Sequence, residues 1–234
     1  NFEQALEFAK AINQYNTERR VLDAQITKEA LLQIEENKEK EQFTSVVFNE
    51  TWHKGVIGIV ASRLIETYYR PTLVFTKSGN KLAASARSVK GFDVYEALEQ
   101  CSEFIEQFGG HKYAAGLKVK KSNYENFKVQ FEKTVRKSVK EEMFRKSFSY
   151  DVLINFSEIT FENIKIISRM SPFGLGNNKP VFRTNNCFLD HKLKFIGKES
   201  QIVKSKIKDQ SGRELPFICF DKKEQLINVS SRFD

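Results

Sequence analysis

Cysteine, histidine and proline are all scarce in this chain of 234 residues, with three, three and four copies. Each scarcity excludes something. Cys101, Cys187 and Cys219 are odd in number, far apart and without C-x-x-C spacing. They make neither a disulfide framework nor a cysteine zinc site, and a reducing cytoplasm fits them. His53, His111 and His191 are scattered, and the only Asp-His neighbours are Asp190 and His191. With no H-E-x-x-H, P-loop or G-x-S-x-G either, a metal centre of the chain's own is not expected. No apolar run reaches the roughly eighteen residues of a membrane helix. Residues 1–41 contain neither Gly nor Pro. The chain opens Asn1-Phe2-Glu3-Gln4-Ala5, without Met and without a signal peptide. It reads as a piece of a longer protein.

What is present begins with charge and length. The net charge of +8 points to an anionic partner, because basic surfaces attract polyanions by releasing counterions. The length predicts two compact units. In residues 1–41, Ala5, Leu6, Ala9, Ile12, Val21, Leu22, Ile26, Ala30 and Ile34 have helical spacing, with a kink or join expected in polar 13–17. One face is apolar, so this is a linker helix lying on something. Asn16 and Arg19 are one turn apart on its polar side. They read as a solvated face that could also reach a phosphate.

Phe43–Phe48 and Thr72–Phe75 read as strands, and 56–65 between them as a helix, which makes an α/β unit. Gly55 and Gly58 fall near that helix's first turn, where free backbone N–H groups attract anions. Trp52 and His53 sit at its mouth, and read alone they are a core anchor and a capping residue. Ala83–Ala86 is a strand short of bulk, and Ser85, Arg87 and Ser88 beside it offer hydroxyl and guanidinium donors. Asp93 is the predicted N-cap of a helix carrying Val94, Ala97, Leu98, Cys101, Ile105 and Phe108. That helix is expected to end at Gly109-Gly110, before His111-Lys112-Tyr113-Ala114-Ala115-Gly116 and a strand over Leu117–Val119. Alone, this stretch reads as a helix cap packed under a strand. A helix follows over about Ser122–Lys140, with Phe127, Phe131 and Val135 inside.

A boundary is expected near Phe144–Phe148. Short strands follow at Tyr150–Ile154, Val181–Phe188, Lys192–Phe195, Gln201–Lys208 and Leu215–Phe220, with a helix near Phe161–Arg169. They predict a small β-barrel. Between Lys179 and Lys208 stand eight basic residues and two acids, Asp190 and Glu199, with Phe182, Phe188 and Phe195 interleaved. Charge for phosphates and rings for bases are what single strands need, although alternation would turn most of the Phe side chains into the barrel core.

Four stretches together resemble one family. They are Trp52-His53-Lys54-Gly55-Val56-Ile57-Gly58-Ile59-Val60-Ala61-Ser62-Arg63, Ser85-Ala86-Arg87-Ser88 with Gly91-Phe92-Asp93, Gly109–Gly116, and Pro172–Phe182. In order, they are similar to the motifs of the RecJ family of bacterial single-strand-specific 5′→3′ DNA exonucleases. The third motif is shared with other DHH-superfamily phosphoesterases and the tail of alanyl-tRNA synthetase. The first and fourth are more specific.

The resemblance implies an α/β DHH-associated domain, a mixed sheet with flanking helices. A long linker helix precedes it and a small β-barrel, an OB-fold, follows. The divisions are a linker helix over 1–41, the substrate-binding α/β domain over 42–145, and a nucleic-acid-binding domain over 148–234. The partners implied are single-stranded DNA with a 5′-phosphate and the protein's own N-terminal DHH domain, with no membrane. That DHH domain would hold two manganese or magnesium ions, and this chain none. Ser85 and Arg87 would grip the 5′-phosphate, while Gly110 and His111 would face the scissile phosphate, His111 as the catalytic candidate. Ser88, Gly109, Trp52, His53, Gly55, Arg63, Asn177 and Lys179 complete the candidate DNA-binding set, with Arg19 as a phosphate contact from the linker.

Two departures stand against the family pattern. The DHH domain is missing upstream, so the chain alone is not expected to hydrolyse DNA. The barrel also stops early, after Ser230-Ser231-Arg232-Phe233-Asp234. Two other readings accompany the exonuclease: a non-enzymatic single-strand-binding module, and an oligonucleotide or cyclic-dinucleotide phosphodiesterase of the same superfamily.

Overall fold

A computed structural model describes residues 1–140, 143, 149–190, 192–197, 202–220 and 232–233. The expected boundary at Phe144–Phe148, together with His191, Glu199, Gln201, Ser230, Ser231 and Asp234, lies outside the described residues. The chain divides into two compact units, Asn1–Lys146 and Ser147–Asp234.

Unit 1 begins with one unbroken helix, α1 (Phe2–Glu36). The expected break in 13–17 is absent. Its polar residues instead bond along the helix, Thr17 Oγ1 to the Asn13 carbonyl at 2.9 Å and Gln14 to Glu18 at 3.0 Å. Only the second half of α1 is packed: Asp23, Ile26, Ala30 and Ile34 are buried, whereas Phe2, Phe8, Ile12 and Tyr15 are exposed.

A five-stranded sheet follows, in the order β1-β2-β3-β5-β4. β1 (Ser45–Phe48) and β2 (Thr72–Ser78) are parallel, joined through α2 (Ile57–Tyr68). β3 (Lys81–Arg87), β4 (Ile105–His111) and β5 (Ala114–Lys120) continue it antiparallel. Strand alternation divides the core. Val46, Leu73 and Phe75 pack on the side of α3 (Val94–Glu99) and α4 (Tyr124–Ser138), with Phe127 and Phe131. Val47 and Val74 pack on the other side, with Ile26, Ala30 and Ile34 of α1 and Val60 and Leu64 of α2.

The helix expected to run to Phe108 is corrected here. α3 stops at Glu99, a tight turn covers Ser102–Phe104, and from Ile105 the chain is strand. Ile105 pairs with Val119 and Phe108 with Leu117, so aromatic and β-branched residues meet across a hairpin. The two glycines lie inside this strand and cap no helix.

Unit 2 has strands β8 (Cys187–Leu189), β9 (Lys194–Ile196), β10 (Ile202–Lys208), β11 (Glu214–Cys219) and β12 (Arg232–Phe233). Their order is β11-β10-β8-β12, with β9 also pairing β10. β6 (Val152–Leu153) and β7 (Phe182–Arg183) form a separate parallel pair, and α5 (Phe161–Arg169) lies between them in sequence. Leu189 and Val203 are the buried centre, with Leu193, Phe217 and Cys219 against them. The inward placement expected for Phe182, Phe188 and Phe195 is corrected: they are 40%, 41% and 38% exposed. In β8 the inward positions belong to Cys187 and Leu189, so alternation turns Phe188 out.

Among the described residues no helix is long and apolar enough to cross a membrane.

Candidate nucleic-acid interface

In unit 1 the site starts at the amino end of α2. The first turn of any α-helix has backbone N–H groups without helical partners, and they favour an anion. Here that turn contains Gly58, and β3 passes directly beneath it. A Cβ at position 58 would lie 3.0 Å from Arg87 Nη2 and 3.1 Å from Ser85 Oγ. Glycine is therefore what lets the guanidinium and the hydroxyl reach the helix end. Arg87 Nη1 donates to Ser85 Oγ at 3.1 Å and to the Ala86 carbonyl at 2.9 Å, which fixes the two side chains as a pair. The group offers a guanidinium, a hydroxyl and helix N–H groups at one corner, which suits an oxyanion.

Register extends this corner across the sheet. Arg87 pairs with Ala114 and Ala114 with His111, while Ser85 pairs with Gly116 and Gly116 with Gly109. Paired residues share a face, and neighbouring strands are about 4.8 Å apart, so His111 stands about 10 Å from Arg87. Only Ala114, Gly116 and Gly109 lie between, and all three are exposed. The result is a shelf floored by small residues beside α2. A groove of about 300 Å³ adjoins it at Gly109 and Gly116 and continues along the strands past Ala83 and Gln107, with Lys54 and Lys118 among its lining residues.

Gly110 is in the positive-φ region at +150°, and a Cβ there would come within 2.5 Å of Ala115 Cα and meet the Ala114 carbonyl. The hairpin tip is tied down by Ser88 N, which donates to the Tyr113 carbonyl at 3.1 Å, and by Val94 N, which donates to Lys112 at 3.0 Å.

The remaining candidates are placed as follows. Trp52 is buried, with Nε1 donating to Glu29 of α1 at 2.8 Å, so it is a core anchor. His53 is exposed, and its Nδ1 accepts from Gly55 N at 3.1 Å. It shapes the loop into α2. Ser88 Oγ donates to the Phe92 carbonyl at 2.9 Å. Arg63 grips buried Asp23 of α1 through Nε, at 2.9 and 2.8 Å, and through Nη2 at 2.8 Å. That bidentate bond raises the already high pKa of the guanidinium.

Arg19 lies one turn before Asp23. Asp23 meets Arg63 midway along α2, whereas Glu29 meets Trp52 ahead of the first turn of α2, so α1 and α2 run antiparallel. Arg19 therefore lies toward the far end of α2 from Gly58, and does not join the Ser85–Arg87 corner.

Unit 2 carries a different kind of surface. Asn177 organises its loop: Nδ2 donates to the carbonyls of Met170 at 2.8 Å and Pro172 at 2.9 Å, and its backbone closes a turn with Gly174. Lys179 is exposed in that loop. Beyond it, alternation along β10 puts Lys204, Lys206 and Lys208 on the open face while Val203 is buried. By register they lie beside Lys194, Ile218, Pro216, Glu214 and Phe188. Exposed Ile196 and Phe220 continue the same face. Cations alternate there with apolar side chains. Reading the sequence singles out Gly58 and the cations and rings between Lys179 and Lys208, but it misses Lys118 and the place of Lys54 in the groove, and does not give the one-sided lysine face. The period-two pattern Ile202-Val203-Lys204-Ser205-Lys206-Ile207-Lys208 is the signal that finds it.

Among the described residues no three His, Cys, Asp or Glu side chains come together to hold a metal ion.

These two surfaces belong to two recognisable domains. Residues 40–137 match the DHHA1 domain and residues 150–234 the RecJ OB domain. The chain is similar to the single-stranded-DNA-specific exonuclease RecJ of Bacillus subtilis, 34% identical over 223 residues, covering 94% of this chain and 28% of that protein. It is also 29% identical to the Haemophilus influenzae protein of the same name, covering 89% of this chain and 37% of the relative. The chain belongs to the RecJ family, and it spans about a third of the length of these relatives. The crystal structure of Thermus thermophilus RecJ with Mn2+ superposes with a TM-score of 0.72 over 90% of this chain and 30% of that one. At 20% identity that likeness shows the fold.

Proposed function

We propose that this chain is the part of a RecJ-type 5′→3′ exonuclease that holds single-stranded DNA and positions its 5′ end. The observation that carries the reading is the corner of Gly58, Ser85 and Arg87 at the amino end of α2, opening onto an uncovered glycine- and alanine-floored shelf. Ser85 and Arg87 hold the terminal phosphate. Gly109, Gly110 and His111 form the shelf along which the next phosphodiester lies, with His111 facing it. The cation-bearing face of unit 2 takes the rest of the strand, with phosphates on lysines and bases on apolar side chains.

In this reading the divisions are the linker helix over 1–41, the substrate-binding domain over 42–145 and the OB-fold over 148–234. Manganese or magnesium belongs to a DHH domain of the same protein, which is also the partner of the 5′ end. A cytoplasmic location goes with this role.

The test is binding. The chain prefers single strands to duplex, and its affinity falls steeply with salt, each phosphate contact on a single strand adding about −0.7 to the log–log slope. Equal affinity for duplex, or no salt dependence, contradicts the proposal. With manganese added, the chain leaves single-stranded DNA intact. Degradation by clean protein would place a metal centre within it and overturn the division of labour.

A further inference from the structure

One carboxylate sits at the end of the lysine row on the open face of unit 2. Glu214 opens β11 directly opposite Lys208, with Lys206 two residues along the same face. Its two oxygens divide between them: Oε2 is 2.9 Å from Lys206 Nζ and Oε1 is 2.7 Å from Lys208 Nζ. Residues two apart on one face of a strand are separated by about 7 Å, so a single fork spans both ammonium groups. All three side chains remain open to solvent, at 63%, 48% and 36% for Lys206, Lys208 and Glu214. An exposed pair of this kind adds little to fold stability. Its effect falls on the charge that the face presents. The bonds from Lys206 and then Lys208 hold the Glu214 carboxyl down at about 2, so it stays ionised under all ordinary conditions.

We infer that Glu214 competes with strand phosphates for Lys206 and Lys208, keeping the affinity of this face below what its lysines alone would give. This rests on the proposed binding of single strands. A phosphate arriving at the two lysines replaces one anion by another on the same donors, and the exchange yields less than filling bare cations. Glu214 thereby makes the contact exchangeable, which suits a strand that must advance along the face.

The test uses the whole chain and a fluorescent single-stranded oligonucleotide of 20 thymidines, titrated at several salt concentrations. Glu214→Gln tightens binding about three- to tenfold at low salt. It also steepens the log–log salt slope by about 0.7 to 1.4, equivalent to one or two further phosphates. Glu162→Gln, on exposed α5, changes net charge equally and leaves both quantities at the wild-type values. Lys206→Ala costs more affinity in the Glu214→Gln background than in wild type, because only there is the lysine free for phosphate. Thermal melts of the variants match wild type. Unchanged or weaker binding by Glu214→Gln overturns the inference alone. An equal gain from Glu162→Gln does the same, since net charge then explains it. A wild-type chain with no salt-dependent single-strand binding overturns both this inference and the function it rests on.

Discussion

The sheet core of unit 1 and the strands of unit 2 place most of their phenylalanines in opposite ways, exposed Phe2 and Phe8 of α1 and buried Phe156 of unit 2 aside. In unit 1, Phe75, Phe127 and Phe131 are fully buried, with Phe127 stacked on Phe131 and edge-on to Phe75. In unit 2, Phe182, Phe188, Phe195 and Phe220 are each more than a third exposed. The difference follows from what covers each sheet. Unit 1 has helices on both faces, so a large ring fills core. Unit 2 has a small buried centre about Leu189 and Val203, with Phe217 against it, and Phe188 stands beside Lys208 on the open face. In the proposed function, one unit offers a corner for a single phosphate and the other a repetitive face for a chain of them. Composition is silent on this contrast, because the same residue type serves both ends.

The sharpest way to break the comparison is to truncate one ring from each unit. Phe75→Ala costs about 3–5 kcal/mol of stability, as for other large-to-small core changes. Phe188→Ala leaves stability within about 0.5 kcal/mol and weakens single-strand binding by about 1 kcal/mol, in the range of one base-stacking contact. Urea titration and fluorescence anisotropy read the two effects. Stability losses of similar size would mean that Phe188 is core after all.

Gly110→Ala tests the shelf. The new Cβ meets backbone, and the φ of +150° is a region that L residues avoid. The expected cost is about 2–4 kcal/mol, measured by denaturant midpoint. Gly109→Ala, which has open space around its Cβ, is close to neutral.

Arg63→Ala comes next. It strands a carboxylate on Asp23, which is 1% exposed, but Arg63 itself is half exposed and water reaches the pair. That places the cost near or just below the low end for breaking a buried pair, at about 2–3 kcal/mol. Arg63→Lys keeps the charge and loses the fork, and recovers part of it. A cost below about 0.5 kcal/mol would show that α1 is held by its apolar face alone.

Much of this was legible in the sequence where one local rule acted alone. The α/β unit, the strand under Ser85 and Arg87, the Asp93 cap and the linker helix all follow from period and punctuation. Asp93 does accept from the N–H groups of Tyr95 and Glu96. The failures came where two periods fitted one stretch. Val94–Phe108 carries helical spacing, yet Ile105 and Phe108 also suit a strand, and the partner hairpin at Leu117 and Val119 decided it. The motif residues were found without their division of labour. Arg63 stands in the same sequence run as Gly58, but five residues along α2 is about 7.5 Å and more than a full turn, so it meets α1. Trp52 reads alone as a core anchor and, like Asn177, joins the contact set only by resemblance; both brace the scaffold, Trp52 Nε1 bonding Glu29 and Asn177 Nδ2 the loop carbonyls of Met170 and Pro172.

The central claim is that a phosphate-specific corner and a strand-holding face are separable. The most direct measurement compares 5′-phosphorylated and 5′-hydroxyl single-stranded oligonucleotides on wild type and Arg87→Ala. A charge-assisted bond of about 1.5–3 kcal/mol predicts that wild type prefers the phosphorylated end at least about tenfold. Arg87→Ala should erase that preference while leaving hydroxyl-ended binding nearly as tight as before. A wild-type chain indifferent to the 5′-phosphate, or an Arg87→Ala loss equal for both ends, would contradict the account.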